Sequence, residues 1–286
     1  MKKRKPLLAI VSCLVFCVML IPFPSYAALN DELLKASSKG DIDEVIRLIE
    51  RGANVNAKNK EGITPLMFSA QKGYTEVAKV LITKGADVNA REKYGGTALM
   101  AAADEGHTKI AEILVAHDAD LNAKQNAGVT ALMAAAAGGH REIAELLIAN
   151  GADINAREKE GGVAMMSAAV NGHLDIVQLL IARGSDVNEK THIGMTALIF
   201  TAINGHIEIL KFLIEKGADV NAKNKSAETA LMFAALNGRI EVVKTLIKNG
   251  AEINLKNNAG MTALDLASRN RQKEIVKILQ SVGEKK

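Results

Sequence analysis

Four histidines recur at an interval of 33 residues, and each one directly follows a glycine. Imidazole nitrogens are common zinc ligands, so a recurring histidine set raises the question of a metal site. To bind zinc, the ring nitrogens would have to converge within about 2.1 Å of one ion. The set consists of His107, His140, His173 and His206, while His117 and His192 stand outside it.

Acidic and sulfur-containing residues recur with the same spacing. Carboxylates could serve acid–base or metal chemistry, and thioethers suit copper(I). The methionines, however, follow a Thr-x-Leu motif, or Val-Ala-Met in the case of Met166, at a helical position, which favours packing in a core. The acidic series is Asp87, Asp120, Asp153, Asp186 and Asp219. The sulfur series is Met67, Met100, Met133, Met166 and Met232, with Ile199 and Asp265 at the equivalent positions.

Self-similarity at this interval is typical of stacked supersecondary units, which bury their apolar faces against one another. Neighbouring helices lie about 8–10 Å apart, so equivalent side chains of successive units form a line and do not surround one point. We therefore predict that the histidines are structural and that the aspartates bond the backbone of their own turns. We predict no catalytic residue, no cofactor and no metal site.

One repeat, residues 57–89, shows how each unit should fold. A turn closes at Gly62, and Thr64 has the hydroxyl expected of a helix N-cap, with proline directly after it. The pattern predicts a first helix over 65–72, ended by Gly73, and a second helix over 75–83.

A turn, a short helix, a tight loop and a longer helix within 33 residues, with Thr-Pro-Leu and Gly-Ala-Asp-Val-Asn motifs, resemble the ankyrin repeat over residues 29–286. The resemblance implies an all-α solenoid of about eight helix-turn-helix units with protruding β-turn tips. We expect both ends to be capped, as in a complete protein. Units one to eight are the N-terminal cap 28–56, repeats 57–89, 90–122, 123–155, 156–188, 189–221 and 222–254, and the C-terminal cap 255–286.

The chain departs from the family pattern at several positions. Methionine stands where the family usually has a histidine after Thr-Pro-Leu. Asp118 replaces a helix-ending glycine, Ala227 replaces a turn glycine, and Val163 lacks the hydroxyl of an N-cap. The two replaced glycines should require a left-handed backbone, at a cost of order 1 kcal/mol each. We predict that these sites are the least rigid joints.

Residues 1–27 have the layout of a secretory signal peptide, with four basic residues, an apolar run from Leu7 to Ile21 and small residues before a cleavage site after Ala27. An uncleaved membrane anchor is the alternative. Cys13 and Cys17 would leave with this segment. We therefore expect an exported protein, periplasmic or secreted, without a membrane segment after cleavage.

The net charge of +4 also resides in this segment, because the remaining chain has 32 basic and 32 acidic residues. Nucleic-acid binders usually show a basic patch, and these charges are interspersed. We predict no nucleic-acid partner and a monomer in isolation.

The resemblance places partner contacts beside the turn glycine and before the Gly-His loop, on a concave face. Apolar residues at such positions in units five to seven predict an exposed binding patch. Alternatively, Ile193 and Met195 pack against neighbouring tips. The candidate partner-binding residues are Lys60, Glu61, Tyr94, Val170, His192, Ile193, Met195, Ile203 and Leu236.

The predicted function is that of a non-catalytic scaffold that binds another protein. The main alternative is a secreted effector that acts on a host-cell protein. A structural protein guarding a membrane enzyme and an enzyme are further alternatives, the last disfavoured by the linear arrangement of equivalent side chains.

Overall fold

A computed structural model of the chain describes residues 26–283, which fold into sixteen helices joined by turns. The predicted signal peptide lies outside these residues except for its last two positions. The helices are α1 (Tyr26–Lys39), α2 (Ile42–Glu50), α3 (Pro65–Lys72), α4 (Thr75–Thr83), α5 (Ala98–Asp104), α6 (Thr108–Ala116), α7 (Ala131–Gly138), α8 (Arg141–Ala149), α9 (Ala164–Asn171), α10 (Leu174–Ala182), α11 (Ala197–Asn204), α12 (Ile207–Glu215), α13 (Ala230–Leu236), α14 (Ile240–Lys248), α15 (Ala263–Arg269) and α16 (Lys273–Gly283).

The helices come in eight pairs, and α3 and α4 have the bounds predicted from the sequence. Thr64 is extended, and its Oγ1 accepts a hydrogen bond from the Met67 N–H at 3.2 Å, which satisfies one donor at the start of α3. Gly73 ends the helix in the left-handed conformation, with φ 79°. The all-α solenoid of helix-turn-helix units is confirmed.

Val163 provides no side-chain cap to α9, as predicted. The helix still begins at Ala164, because Val163 keeps the extended backbone of the threonines and its carbonyl accepts the Met166 N–H at 2.9 Å.

One continuous apolar core extends from Leu29 in α1 to Leu279 in α16. The first helices of neighbouring pairs pack closely, most of all α5, α7 and α9, whereas the second helices approach one another less. The three closest first helices are rich in alanine, whose small side chain permits this approach. This unequal packing implies that the stack curves, with the first helices on its inner face.

Asparagine side chains join successive units. The Asn89 Nδ2 donates to the Asp118 carbonyl at 3.0 Å, and its Oδ1 accepts the Asp120 N–H at 2.7 Å. Asp120 in turn accepts the N–H of Asn122 at 3.0 Å. The predicted role of the aspartates, bonding the backbone of their own turns, is therefore confirmed.

The predicted left-handed positions are also confirmed. Asp118 has φ 60° and Ala227 has φ 59°. Arg271, with φ 58°, is a third such residue that the sequence pattern did not single out. All three occupy positions where the other units have glycine.

Candidate partner-binding groove

The histidine series makes contacts between units. The His107 Nε2 lies 3.1 Å from the Gln71 carbonyl, and the His140 Nε2 lies 2.9 Å from the Asp104 carbonyl. Because a carbonyl only accepts, the Nε2 atom donates in each case. Each imidazole also covers a glycine of the preceding unit: a Cβ added at Gly73 would lie 2.7 Å from the His107 ring. The predicted structural role is confirmed.

Arg239 takes over this role in unit seven, where its Nε donates to the Ile203 carbonyl at 3.0 Å. The histidines thus serve separate carbonyls. Between residues 26 and 283, no three histidine, aspartate or glutamate side chains are grouped closely enough to hold a metal ion.

The methionine series lies in the core, as predicted from its helical position. Met67, Met133 and Met166 are all buried on their first helices. The Met67 sulfur accepts the Thr64 N–H at 3.5 Å within its own unit. These side chains form the floor of the concave face.

A groove with a volume of about 630 Å³ runs along this face from unit two to unit six. One position on the first helices, directly after the methionine series, carries side chains of different size along the groove. Ala101, Ala134 and Ser167 hold that position in units three to five and line the groove. Phenylalanine holds it on either side, with Phe68 in unit two and Phe200 in unit six. The groove is therefore open where a large ring has been replaced by a small side chain.

The charged side chains that line the groove are all acidic: Glu92, Asp104 and Glu158. Glu92 is fixed by the backbone, because its carboxylate accepts the N–H groups of Tyr94 at 2.8 Å and Gly96 at 2.7 Å. Glu158 accepts the Gly162 N–H at 3.3 Å. Among the described residues, none of the three carboxylates forms an ion pair.

Glycine leaves room beside each of the two glutamates. A Cβ added at Gly96 would lie 2.9 Å from the Glu92 carboxylate oxygen, and one at Gly162 would lie 2.8 Å from that of Glu158. Larger residues occupy the same position in the other repeats. The acid–glycine pairs of units three and five thus bring a carboxylate to the groove in alternate units.

The predicted tips are joined along the solenoid by backbone hydrogen bonds. Lys93 N–H donates to the Glu61 carbonyl at 2.8 Å, and His192 N–H donates to the Glu160 carbonyl at 2.7 Å. The Lys93 ammonium lies 3.8 Å from the Glu61 carboxylate and 5.5 Å from the centre of the Tyr94 ring. Lys60, Glu61, Tyr94 and His192 are exposed, so these candidates are available to a partner.

The predicted apolar patch of five residues is wrong in part. Met195 is 7% exposed and packs in the core, with its sulfur 3.6 Å from the Asn224 Nδ2. Ile203 and Leu236 are half-buried against the core. Only Ile193, at 56%, and Val170, at 36%, are exposed. The alternative that tip residues fold back therefore holds for Met195 and fails for Ile193, because Met195 follows the turn at an inward-facing position.

A recurring series of basic residues was not identified in the sequence analysis. A basic residue stands two positions after the asparagine in every unit from two to eight, and the first four bond the carbonyl of the next one along. The Lys58 Nζ, for example, donates to the Arg91 carbonyl at 3.3 Å. The interval alone could have identified it. The series is Lys58, Arg91, Lys124, Arg157, Lys190, Lys223 and Lys256.

Stacked helix pairs with threonine N-caps, glycine-ended first helices and asparagine links between units define a helical repeat solenoid. The chain belongs to the ankyrin repeat family. The model for ankyrin repeats (three copies) matches residues 33–125, 94–158, 118–191, 165–257 and 224–286. Members of this family generally act as non-catalytic modules that bind other proteins.

Two proteins of Rickettsia felis (strain ATCC VR-1525 / URRWXCal2) named as ankyrin repeat proteins, RF_p14 and RF_pd14, are 37% identical to this chain over 49 residues. That stretch is 17% of this chain, and it covers 78% and 74% of the two relatives. A protein of Oryza sativa subsp. japonica, named Probable E3 ubiquitin-protein ligase XBOS33, is 39% identical over 57 residues. The match spans 20% of this chain and only 11% of the rice protein.

In the part of the chain that the structure describes, none of the helices combines the length and the apolar character needed to cross a bilayer.

Proposed function

We propose that this protein is a non-catalytic scaffold that binds another protein in the groove of its concave face. The observation that carries the proposal is the widened groove over units three to five, where Ala101, Ala134 and Ser167 replace phenylalanine. A volume of about 630 Å³ is in the range of specific binding pockets, which span about 300–1,000 Å³.

The groove has the composition of a binding hot spot. Apolar side chains such as Val129 and Phe200 line it, and a partner side chain of leucine or phenylalanine size buried there would contribute about 1.5–3 kcal/mol. The exposed tips, with Tyr94 and Ile193 at their ends, form a polar and partly apolar rim. Charged tip residues such as Lys60 and Glu61 would then orient the partner.

The recurring side chains support binding over catalysis. A catalytic site needs a nucleophile, a base and an orienting group within reach of one another. Here His107 and His140 each serve a separate backbone carbonyl, and Asp120 accepts a bond from its own turn. These groups are occupied in holding the stack together.

The test is capture of partners from the native compartment by three forms of the protein. Ala134→Phe should fill the groove, and the fold should tolerate it because phenylalanine stands at this position in units two, six and seven. Phe233→Ala makes the reverse change outside the groove and is the matched control. We expect Ala134→Phe to lose the partners that the wild type and Phe233→Ala retain.

Equal capture by all three forms, with matching circular dichroism spectra, would exclude the groove as the binding site.

We further propose that the protein is exported after cleavage behind Ala27. Cleavage there would leave a chain that begins just inside α1, ahead of the buried Leu29. N-terminal sequencing of the purified protein should find Ala28 first. Fractionation separates the two destinations: retention in the periplasm supports the scaffold, and delivery outside the cell supports the alternative of an effector acting on a host protein. An intact N-terminus in the cytoplasm would refute export.

A further inference from the structure

We infer that the groove over units three to five selects an extended segment of its partner that is both cationic and apolar. This segment has an apolar centre with one lysine or arginine side chain on each side of it. This inference rests on the proposed binding function and specifies the chemistry of the ligand. The inference follows from the sign and the spacing of the charges in the groove and from the small side chains that line it over units three to five.

The charges of the groove are of one sign. Glu92, Asp104 and Glu158 line it, and no lysine or arginine does so among the described residues. The nearby Lys93 ammonium lies 3.8 Å from the Glu61 carboxylate and 5.5 Å from the centre of the Tyr94 ring, and it is not among the lining residues. A cationic ligand would gain Coulomb energy here, whereas an anionic one would meet like charges beside an apolar surface, where screening is weaker than in open solvent.

The two glutamates are held in place before any ligand arrives. Backbone N–H groups fix the Glu92 and Glu158 carboxylates, and each carboxylate retains lone pairs for a further donor. The adjoining Gly96 and Gly162 make room for this arrangement. A fixed acceptor loses little conformational freedom on binding, which favours a specific contact over diffuse attraction.

The spacing of the glutamates sets the spacing of the ligand charges. Glu92 and Glu158 hold equivalent positions two units apart, which corresponds to roughly 16–20 Å along the stack. An extended segment rises about 3.3 Å per residue and its side chains alternate between two faces, so two cationic side chains that both face the groove should stand about six residues apart. The residues between them would lie over the small side chain of Ala134, which lines the groove.

The apolar centre of the ligand is implied by the same position. Ala101, Ala134 and Ser167 leave an opening above the methionine floor, and the Phe200 ring closes it at unit six. A leucine or phenylalanine of the ligand would occupy the space that a phenylalanine of this chain fills in units two, six and seven. Thus the site accepts a large apolar side chain from outside in place of its own.

The experiment is selection from a displayed library of random twelve-residue peptides on the protein purified from cells that express the full chain. Peptides that also bind Ala134→Phe are discarded. We expect the remaining peptides to be enriched in lysine and arginine, spaced about six residues apart around an aliphatic or aromatic centre, and depleted of aspartate and glutamate. Acidic peptides, peptides without charge preference, or no enrichment at all would overturn the inference.

An enriched peptide then allows the contacts to be separated by fluorescence anisotropy. Ala134→Phe should weaken binding at least about tenfold, and Phe233→Ala should leave it unchanged. The double variant Glu92→Gln with Glu158→Gln should weaken binding about 2- to 20-fold and reduce its dependence on salt. The fold should tolerate glutamine, because Gln125 holds the same position in unit four. Unchanged affinity and salt dependence in the double variant would contradict the role of the carboxylates.

Failure of this inference is distinct from failure of the proposed function. If Ala134→Phe abolishes partner capture but the selected peptides are not cationic, the groove binds a partner of another chemistry. Light scattering tests a second copy of this chain, since a dimer abolished by Ala134→Phe would make that copy the occupant. Protection of residues 1–27 from protease, lost in Ala134→Phe, would make the basic N-terminal segment the occupant. Either result overturns the inference.

Discussion

At the scale of single residues, the side chains that suggest chemistry are those that link one unit to the next. His140 shows the reason: its Nε2 donates to a carbonyl at the end of the preceding first helix, at 2.9 Å, where no helical partner is present. A donor that satisfies such a carbonyl couples the stability of two units. The histidines therefore recur because the same carbonyl, at the end of each first helix, needs a donor from the next unit.

Replacing His140 by alanine should lower the free energy of unfolding by about 1–2 kcal/mol, because the Asp104 carbonyl loses its donor. Urea denaturation followed by circular dichroism measures the loss. His140→Arg is the matched control, since Arg239 makes the equivalent bond in unit seven, and it should restore most of the stability. If His140→Ala is as stable as the wild type, the proposed coupling is absent.

Replacing Ala227, in contrast to His140, should stabilise the protein. Its φ of 59° is costly for any residue with a Cβ, and the other tips have glycine there. Ala227→Gly should raise the unfolding free energy by about 0.5–1 kcal/mol, after allowance for the greater freedom of glycine in the unfolded chain.

The comparison is Gly194→Ala in the preceding unit, where a Cβ would lie 3.0 Å from the Asn224 Cα and should destabilise. Thermal melts measure both variants. If the two variants change the stability in the same direction and by the same amount, the strain argument is contradicted.

At the scale of helices, the ends are set by local chemistry. In α15, the last first helix, Asp265 replaces methionine and closes a capping box with Thr262. The Thr262 N–H and hydroxyl donate to its carboxylate at 2.8 and 2.7 Å, and these bonds lower the pKa of Asp265 below its ordinary value. The charged form is therefore favoured in the folded state.

This pKa shift predicts a pH dependence. Because the folded pKa lies below the unfolded value of about 3.9, the stabilisation is fully present above that value and is lost as the pH falls through the folded pKa. The stability difference between the wild type and Asp265→Asn should thus be constant from about pH 7 to 5 and shrink below about pH 4. Urea titrations across this range measure it. A difference that is independent of pH would show that the carboxylate charge does not stabilise α15.

Helix positions could be predicted from the sequence because their signals are local. Thr64 and Gly73 mark the ends of α3 through contacts within a few residues. Burial at the tips could not be predicted from the sequence, because it depends on contacts with the neighbouring unit. Met195 and Ile193 are two residues apart, yet Met195 is buried and Ile193 is exposed. The groove was missed for the same reason. Its opening becomes visible only when Ala134 is compared with Phe68 and Phe200 on a curved stack.

At the scale of the whole molecule, every charged side chain that lines the groove is acidic, although both signs of charge are interspersed elsewhere along the described chain. Seven basic residues recur along the tip side, where they bond backbone carbonyls or remain exposed, and three carboxylates line the groove. Identical contacts repeat along the stack, so each unit depends mainly on its neighbours. Two features depart from this repetition: the small residues of units three to five and the two acid–glycine pairs. Both lie at the groove. That coincidence supports the proposal that this face binds a partner.

The central claim is that a protein partner lies in the concave groove, and site-specific photo-cross-linking in the native compartment tests it most directly. A photoreactive residue would replace Ala137 or Val170 in the groove and, for comparison, Lys109 or Glu145 on the second helices. The account predicts a discrete protein adduct from the groove positions that disappears when Ala134→Phe is added. Adducts formed only from the second helices, or groove adducts unaffected by Ala134→Phe, would contradict it.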